Sequence, residues 1–333
     1  MDSKAYADYD YWIRKGTEFL DDVNTHAQAL FAFNKAIRIN RKSATAWAFK
    51  AYIFFFSGFH AERASDLIQL ASSLEPENPI VLFYKAYKLH WDGKQLLEPL
   101  ELVERALEKN PNLALAWILK AEIFDKLNWL EESVKAYNRA IALGIKNSYP
   151  HGHKGDLLLS LNRYQEAIEA YDMAISRNPN FFGWPAGKGI ALAKLGRYEE
   201  AIEMYDKAIQ MITIDETIYY NKGIALMMLK RYEEALQLFD KTIEMNPNYA
   251  PAWNNKSWIF RKLRRYKEAK KASERAVEID PEMVNPDYCT ARDAAMQGNK
   301  ASALVYLMRV SKNIPDIEEK MKGDPAFQDF WEH

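Results

Sequence analysis

Tyr164-Gln165-Glu166-Ala167, Tyr198-Glu199-Glu200-Ala201, Tyr232-Glu233-Glu234-Ala235 and Tyr266-Lys267-Glu268-Ala269 follow one another at steps of 34 residues. The same step carries Tyr171 to Tyr205, Phe239 and Ser273, and Ala174 to Ala208, Thr242 and Ala276. Within each copy the apolar residues recur at i, i+4 and i+7, the mark of one helix face. Asn178-Pro179, Asn246-Pro247 and Asp280-Pro281 close three copies. Proline ends a helix there because it has no amide hydrogen for the ladder. A unit of this length holds two helices, and a fixed period of this kind indicates a stacked helical array.

The register extends towards the N-terminus. Second-helix alanines stand at Ala140, Ala106, Ala71 and Ala36, and the residue seven positions before each is Ser133, Pro99, Ala64 or Ala29. The first helices open around Trp12, Trp47, Phe83, Trp117, His151, Pro185, Tyr219 and Trp253. This gives eight units over residues 10–283, after a lead-in of residues 1–9. Residues 284–313 read as a degenerate ninth helix pair and residues 314–333 as a C-terminal capping segment. Such a cap would cover the apolar face of the last repeat, and its acidic residues would lie near the basic stretch Arg261 to Arg275. Departures from the period are local. Unit 1 closes on Asn40-Arg41, units 4 and 6 have Ile145 and Thr213 in place of proline, and Pro99 falls in the first turn of a second helix, where proline is tolerated. Gly183-Trp184-Pro185-Ala186-Gly187-Lys188-Gly189 is a poor helix former, so a short or soft first helix is expected in unit 6.

The pattern resembles the tetratricopeptide repeat, a 34-residue motif with small residues at its positions 8, 20 and 27, aromatics at 11, 17 and 24, and proline at 32. Trp253, Ser257, Phe260, Tyr266, Ala269, Ala276 and Pro281 show it in one unit. The resemblance implies an all-α fold, a right-handed α-solenoid (superhelix) of tandem helix–turn–helix units. Small residues such as Gly155, Gly189 and Gly223 would face the alanines of the second helix and let the two helices approach closely.

Composition narrows the function. Lys+Arg total 45 against 46 Asp+Glu, so the basic excess of a dedicated nucleic-acid binder is missing. The most apolar run, Trp47 to Phe59, contains Lys50 and falls short of the ~20 apolar residues a membrane span needs; it reads as a buried helix. The single cysteine, Cys289, cannot form an internal disulfide. With no apolar signal core at the start, a cytoplasmic location is expected.

Signs of catalysis or cofactors are weak. Gly183 to Gly189 has the wrong glycine spacing for a phosphate loop and lacks the following Ser/Thr. His151 and His153, two apart on a helix, do not face each other as metal ligands would. The glutamates that open second helices, such as Glu199 and Glu233, complement the helix dipole. The expectation is a non-enzymatic chain with no cofactor and no metal. Lysine recurs at Lys15, Lys50, Lys120, Lys154, Lys188, Lys222 and Lys256. It can be read as packed stems with ammonium groups reaching water, or as a cationic ridge for an acidic partner.

By the resemblance, first helices line a concave groove that holds a protein or peptide segment. Candidate contacts are Phe49, Tyr52, Phe56, Tyr84, Lys88, Trp91 and Ile118 in the apolar N-terminal half, His153 in the middle, and Tyr220, Asn221, Asn254, Asn255 and Arg261 in the polar C-terminal half. Aromatics dominate binding hot spots, and an asparagine amide can both donate to and accept from a peptide backbone. The N-terminal aromatics can equally bury one another, or serve as a contact between copies of the chain, so a homo-oligomer is the alternative. An accessory subunit of an enzyme complex is the third reading.

Overall fold

The computed structural model describes residues 3–20, 23–56, 61–93, 95–212, 214–280, 291, 294–295 and 300–311. Over them the chain forms two compact units, Met1–Ala191 and Leu192–His333. Every regular element among these residues is helical. In the first unit α1 (Ser3–Glu18) pairs with α2 (His26–Ile39), α3 (Ala44–Phe56) with α4 (Ala61–Leu74), α5 (Pro79–Asp92) with α6 (Leu97–Lys109), α7 (Ala114–Lys126) with α8 (Leu130–Ala142), and α9 (Tyr149–Ser160) with α10 (Tyr164–Arg177). α11 (Gly183–Lys194) and α12 (Tyr198–Met211) follow. The second unit continues with α13 (Glu216–Met228) on α14 (Tyr232–Met245) and α15 (Ala250–Lys262) on α16 (Tyr266–Ile279). Within the units successive pairs pack on one another, α2 on α3, α4 on α5, α6 on α7 and α8 on α9, then α12 on α13 and α14 on α15, the tandem arrangement of an α-solenoid. A last helix, α17 (Lys300–Ser311), lies within the segment read as a degenerate ninth pair. The proposed cap, residues 314–333, lies outside the described residues, as do Thr213 and Cys289.

Small residues set the closeness of the pairs. Ala167, Ala201, Ala235 and Ala269 are all at most 1% exposed. Where serine takes such a place its hydroxyl is satisfied by the facing backbone: Ser133 Oγ donates to the Ala121 carbonyl and Ser257 Oγ to that of Ala269, each at 2.7 Å.

The turn inside each pair has a common chemistry. Asn128, Asn162, Lys230 and Arg264 have φ near +60°, and Gly196 has φ +76°. The next amide reaches back five residues: Trp129 N–H to Phe124, Arg163 to Leu158, Arg197 to Leu192, Arg231 to Leu226 and Arg265 to Phe260, at 2.8–3.0 Å. This left-handed closure satisfies carbonyls the helix end would otherwise leave open. Four of the arginines then grip the glutamate three residues on: Arg163–Glu166, Arg197–Glu200, Arg231–Glu234 and Arg265–Glu268. Since a side chain at positive φ is strained, Lys230→Gly and Arg264→Gly are each expected to raise stability by about 0.5–1 kcal/mol. Urea unfolding would show it; a loss in either variant would contradict this account of the turn.

The turns between pairs rest on asparagine more than on proline. Asn40, Asn110, Asn178 and Asn246 each accept, on Oδ1, the backbone N–H two residues on. Trp47, Trp117 and Trp253 donate Nε1–H to the carbonyl six residues back, that of Arg41, Pro111 and Pro247. The turn at Asn40-Arg41 is thus built like the proline-bearing ones, because the side-chain amide and the indole hold it.

Of three local expectations, one holds and two meet the structure differently. α1 begins at Ser3, so the lead-in is helical; Tyr9 packs with Trp12 and Trp47 against Ala36, Ile37 and Ala46, and its hydroxyl lies 2.6 Å from Ser43 Oγ. Pro99 sits in the first turn of α6, as expected. α11 is not short: at 12 residues it equals α9. Its Gly187 is required, because a Cβ there would lie 2.6 Å from the Tyr171 ring.

Candidate functional site: an aromatic cavity in the first unit

Four first helices of the N-terminal unit present stripes at i, i+4 spacing to one space: Tyr52 and Phe56 from α3, Phe83, Tyr87 and Trp91 from α5, Ile118 and Glu122 from α7, Tyr149 and His153 from α9. They line a cavity of about 1300 Å³. Residues four apart lie on the same helix face, so each helix contributes one wall.

The aromatic side is dense. Phe56 stacks on Tyr87 with centroids 5.5 Å apart, Tyr52 lies 4.9 Å from Phe56 and 5.4 Å from Tyr87, and Phe55 meets Trp91 edge-on at 6.1 Å. Trp91 is nevertheless 68% exposed and Phe56 42%. Exposed apolar surface of this size and concavity is uncommon without a binding role.

The polar side centres on Glu122. Tyr149 donates to Glu122 Oε1 at 2.7 Å, and His90 Nε2 lies 3.6 Å from Oε2. Burial raises the Glu122 carboxyl above its usual range, against the lowering by the Tyr149 hydrogen bond. His90 is 5% exposed, and burial, then Lys126, lowers it to about 4. At neutral pH it is uncharged, so its approach to Glu122 is not an ion pair. His153 rests on Tyr149 at 4.1 Å.

The sequence-derived candidates divide by place. Tyr52, Phe56, Trp91, Ile118 and His153 all line this cavity. Phe49 and Tyr84 do not: they are 3% and 1% exposed, Phe49 stacked on Phe33 at 4.9 Å and Tyr84 against Phe55. Both fall at the edge of the core stripe, where helix packing claims them. Lys88 turns to α4 and donates to Ser65 Oγ at 3.2 Å. The other candidates belong to the second unit. Asn255 Nδ2 donates to the Tyr220 hydroxyl at 3.2 Å, Tyr220 lies 5.0 Å from Tyr249, and Asn221 and Asn254 are half-buried. Arg261 departs from its reading as a surface contact, for it is 2% exposed, next to Ile259 and Ser257 in the buried part of α15.

Glu122, Tyr149 and Tyr87 were not among those candidates, although the register held signals for them. Glu122 and Tyr149 occupy motif positions 9 and 2, both groove-facing by the resemblance. Tyr87 occupies position 8, where a small residue is expected, and stands twelve residues before Pro99, itself a departure from the pattern.

Five of the seven recurrent lysines are tied to a neighbouring helix rather than standing as a cationic ridge. Lys120 reaches Glu104 at 2.8 Å, Lys188 reaches Asp172 and Lys222 reaches Asp206 at 2.5 Å, and Lys256 pairs with Asp240. Lys50 donates to Asn34 Oδ1 at 2.9 Å. In each case the partner lies 16 residues earlier, on the preceding second helix, so this lysine ties one pair to the next. At partly exposed sites each such tie is worth about 0.2–1 kcal/mol.

Known proteins agree with this architecture. Tetratricopeptide repeat profiles match residues 114–143, 153–215, 217–249 and 250–283. No curated protein matches the chain. Among solved structures, YrrB, titled a TPR protein with an unusual peptide-binding site, is 22% identical with a TM-score of 0.53, over 57% of this chain and 97% of its own. The C-terminal part of a TPR repeat-containing protein from Cytophaga hutchinsonii is 19% identical with a TM-score of 0.57, over 70% and 95%. PilF of Pseudomonas aeruginosa is 16% identical with a TM-score of 0.51, over 61% and 92%. At these identities the solved structures speak for the fold alone. With the 34-residue period, the packed helix pairs and the matched profiles, this chain belongs to the tetratricopeptide repeat family.

Proposed function

We propose that the chain is a non-catalytic scaffold that holds a partner protein by an extended segment lying in the cavity of the first unit. The observation that carries this is the exposure of Trp91 and Phe56 on a concave wall whose remaining rings are packed and ordered. A preformed apolar surface of that kind gains free energy when a segment displaces its water. Membership of a repeat family whose members generally mediate protein interactions supports the reading. Among the described residues no helix is long and apolar enough to cross a membrane. Phe56→Ser with Trp91→Ser is expected to leave the fold intact, since neither ring belongs to the buried core, and to remove partners in affinity purification from the native organism. An unchanged partner set would overturn the cavity as the binding site.

A second reading, self-association, rests on a different place. Tyr11 and Phe31 are 47% and 56% exposed beside an apolar hollow of about 380 Å³ between α1 and α2. Light scattering over a concentration series distinguishes it, because only self-association makes the mass rise with concentration.

A further inference from the structure

We propose that the cavity selects a cationic side chain, arginine or lysine, carried on the partner segment, with its charge against the Glu122 carboxylate and its stem along the rings of Tyr87 and Tyr149. This rests on the groove-binding reading above and names what the groove recognises.

Glu122 is the polar centre of the cavity wall. Its side chain is 23% exposed, yet among the described residues no lysine or arginine forms an ion pair with it. One oxygen has Tyr149 as donor; the other faces His90 at 3.6 Å, beyond hydrogen-bond length. His90 stays uncharged at neutral pH, so it supplies no countercharge. Asp172 and Glu234, by contrast, each have a cationic partner, Lys188 and Arg231. Glu122 has none among the described residues, and the walls around it are aromatic.

The surroundings then decide between occupants. An anionic side chain would be repelled by the carboxylate. A purely apolar one would take water from it and leave a charge unpaired, which is costly. A cation meets both needs: it pairs with the carboxylate and is attracted to the ring faces. Lys126, Lys146 and Arg177 also reach the lining; all three are exposed, and Lys126 acts on Glu122 through its charge without forming an ion pair with it. They bear on what flanks the cationic residue and not on what sits against the carboxylate.

The test uses the full chain and a phage-displayed library of random peptides. Peptides that bind wild-type protein and lose binding to Trp91→Ser are expected to be enriched in one basic residue. A synthetic peptide from that set should bind ten- to a hundredfold more tightly than its counterpart with citrulline for arginine, or norleucine for lysine. That preference should vanish on Glu122→Gln, which keeps an acceptor for Tyr149, and persist in Glu122→Asp. The neutral-counterpart comparison needs no variant, so it decides even if Glu122→Gln unfolds. Groove-dependent peptides without basic enrichment, or with equal affinity for their neutral counterparts, would overturn this inference while leaving the groove reading standing. Finding no peptide whose binding depends on Trp91 would overturn both.

Discussion

Tyr171→Ala is expected to destabilise the N-terminal unit by about 3–5 kcal/mol, the usual range for removing a large buried aromatic. The Tyr171 ring is fully buried and lies between two glycines from neighbouring helices: a Cβ at Gly155 of α9 would come within 2.8 Å of it, and one at Gly187 of α11 within 2.6 Å. Its hydroxyl donates to Asp156 Oδ1 at 2.6 Å. The ring therefore fills a space that both flanking helices have given up side chains to make. Truncation leaves a void that two glycines cannot fill. Tyr171→Phe loses only the hydrogen bond and should cost about 1 kcal/mol. Urea unfolding of the two variants separates these outcomes, and a Tyr171→Ala protein as stable as wild type would show that α9, α10 and α11 do not interlock here.

The second large effect is a loss of stability in mild acid. His90 and His151 are each 5% exposed, and burial first, then nearby cations, lowers both to about 4. In the unfolded chain they titrate near 6.5. Between those values the unfolded state binds more protons, so stability is complete above pH 6.5 and falls as pH drops towards 4. Discounted for solvent screening, this leaves on the order of 2 kcal/mol for each histidine. Glu122 acts in the opposite sense above the ordinary carboxylate range, because its raised value favours the protonated fold. The carboxylates of Glu166, Glu234 and Glu268, lowered chiefly by their arginine hydrogen bonds, lose their share only below about pH 4.5. The histidine window is thus distinct. Urea midpoints measured from pH 7 to pH 4.5 should fall steadily in wild type and less steeply in His151→Leu. Parallel slopes would remove His151 from the account.

Much of the fold was legible in the sequence because the repeat constrains many positions at once. The 34-residue recurrence of Tyr-x-Glu-Ala, the buried alanines and the small residues facing them follow from close helix packing, which tolerates few side chains. The inter-pair turns were legible only in part. Proline drew attention, while the bonds are made by Asn40, Asn110, Asn178 and Asn246 and by the indoles of Trp47, Trp117 and Trp253, so unit 1 turns in the same way without proline. The lysine recurrence was visible, but its partner 16 residues earlier lies on another helix, and only the packing of successive pairs brings the two together.

The site divides along the same line. Tyr52, Phe56 and Trp91 could be found because the groove-facing positions implied by the resemblance fall on aromatics there. Phe49 and Tyr84 could not be separated from them, since a shift of one or two residues around a helix moves a ring from the groove to the core. Arg261 shows the converse: a charged residue read as surface is buried once α15 takes its place. Glu122 was hidden by its commonness, for one glutamate among many becomes notable only when Tyr149, Tyr87 and His90 surround it.

The central claim, that the first unit binds its partner in the aromatic cavity, is tested most directly by site-specific photo-crosslinking. A benzophenone side chain placed at Trp91, on the cavity wall, is compared with one at Lys135, exposed on the second helix α8. The account predicts a crosslinked partner from position 91 and none from position 135. Crosslinking from position 135 alone would place the binding surface on the second helices and contradict it.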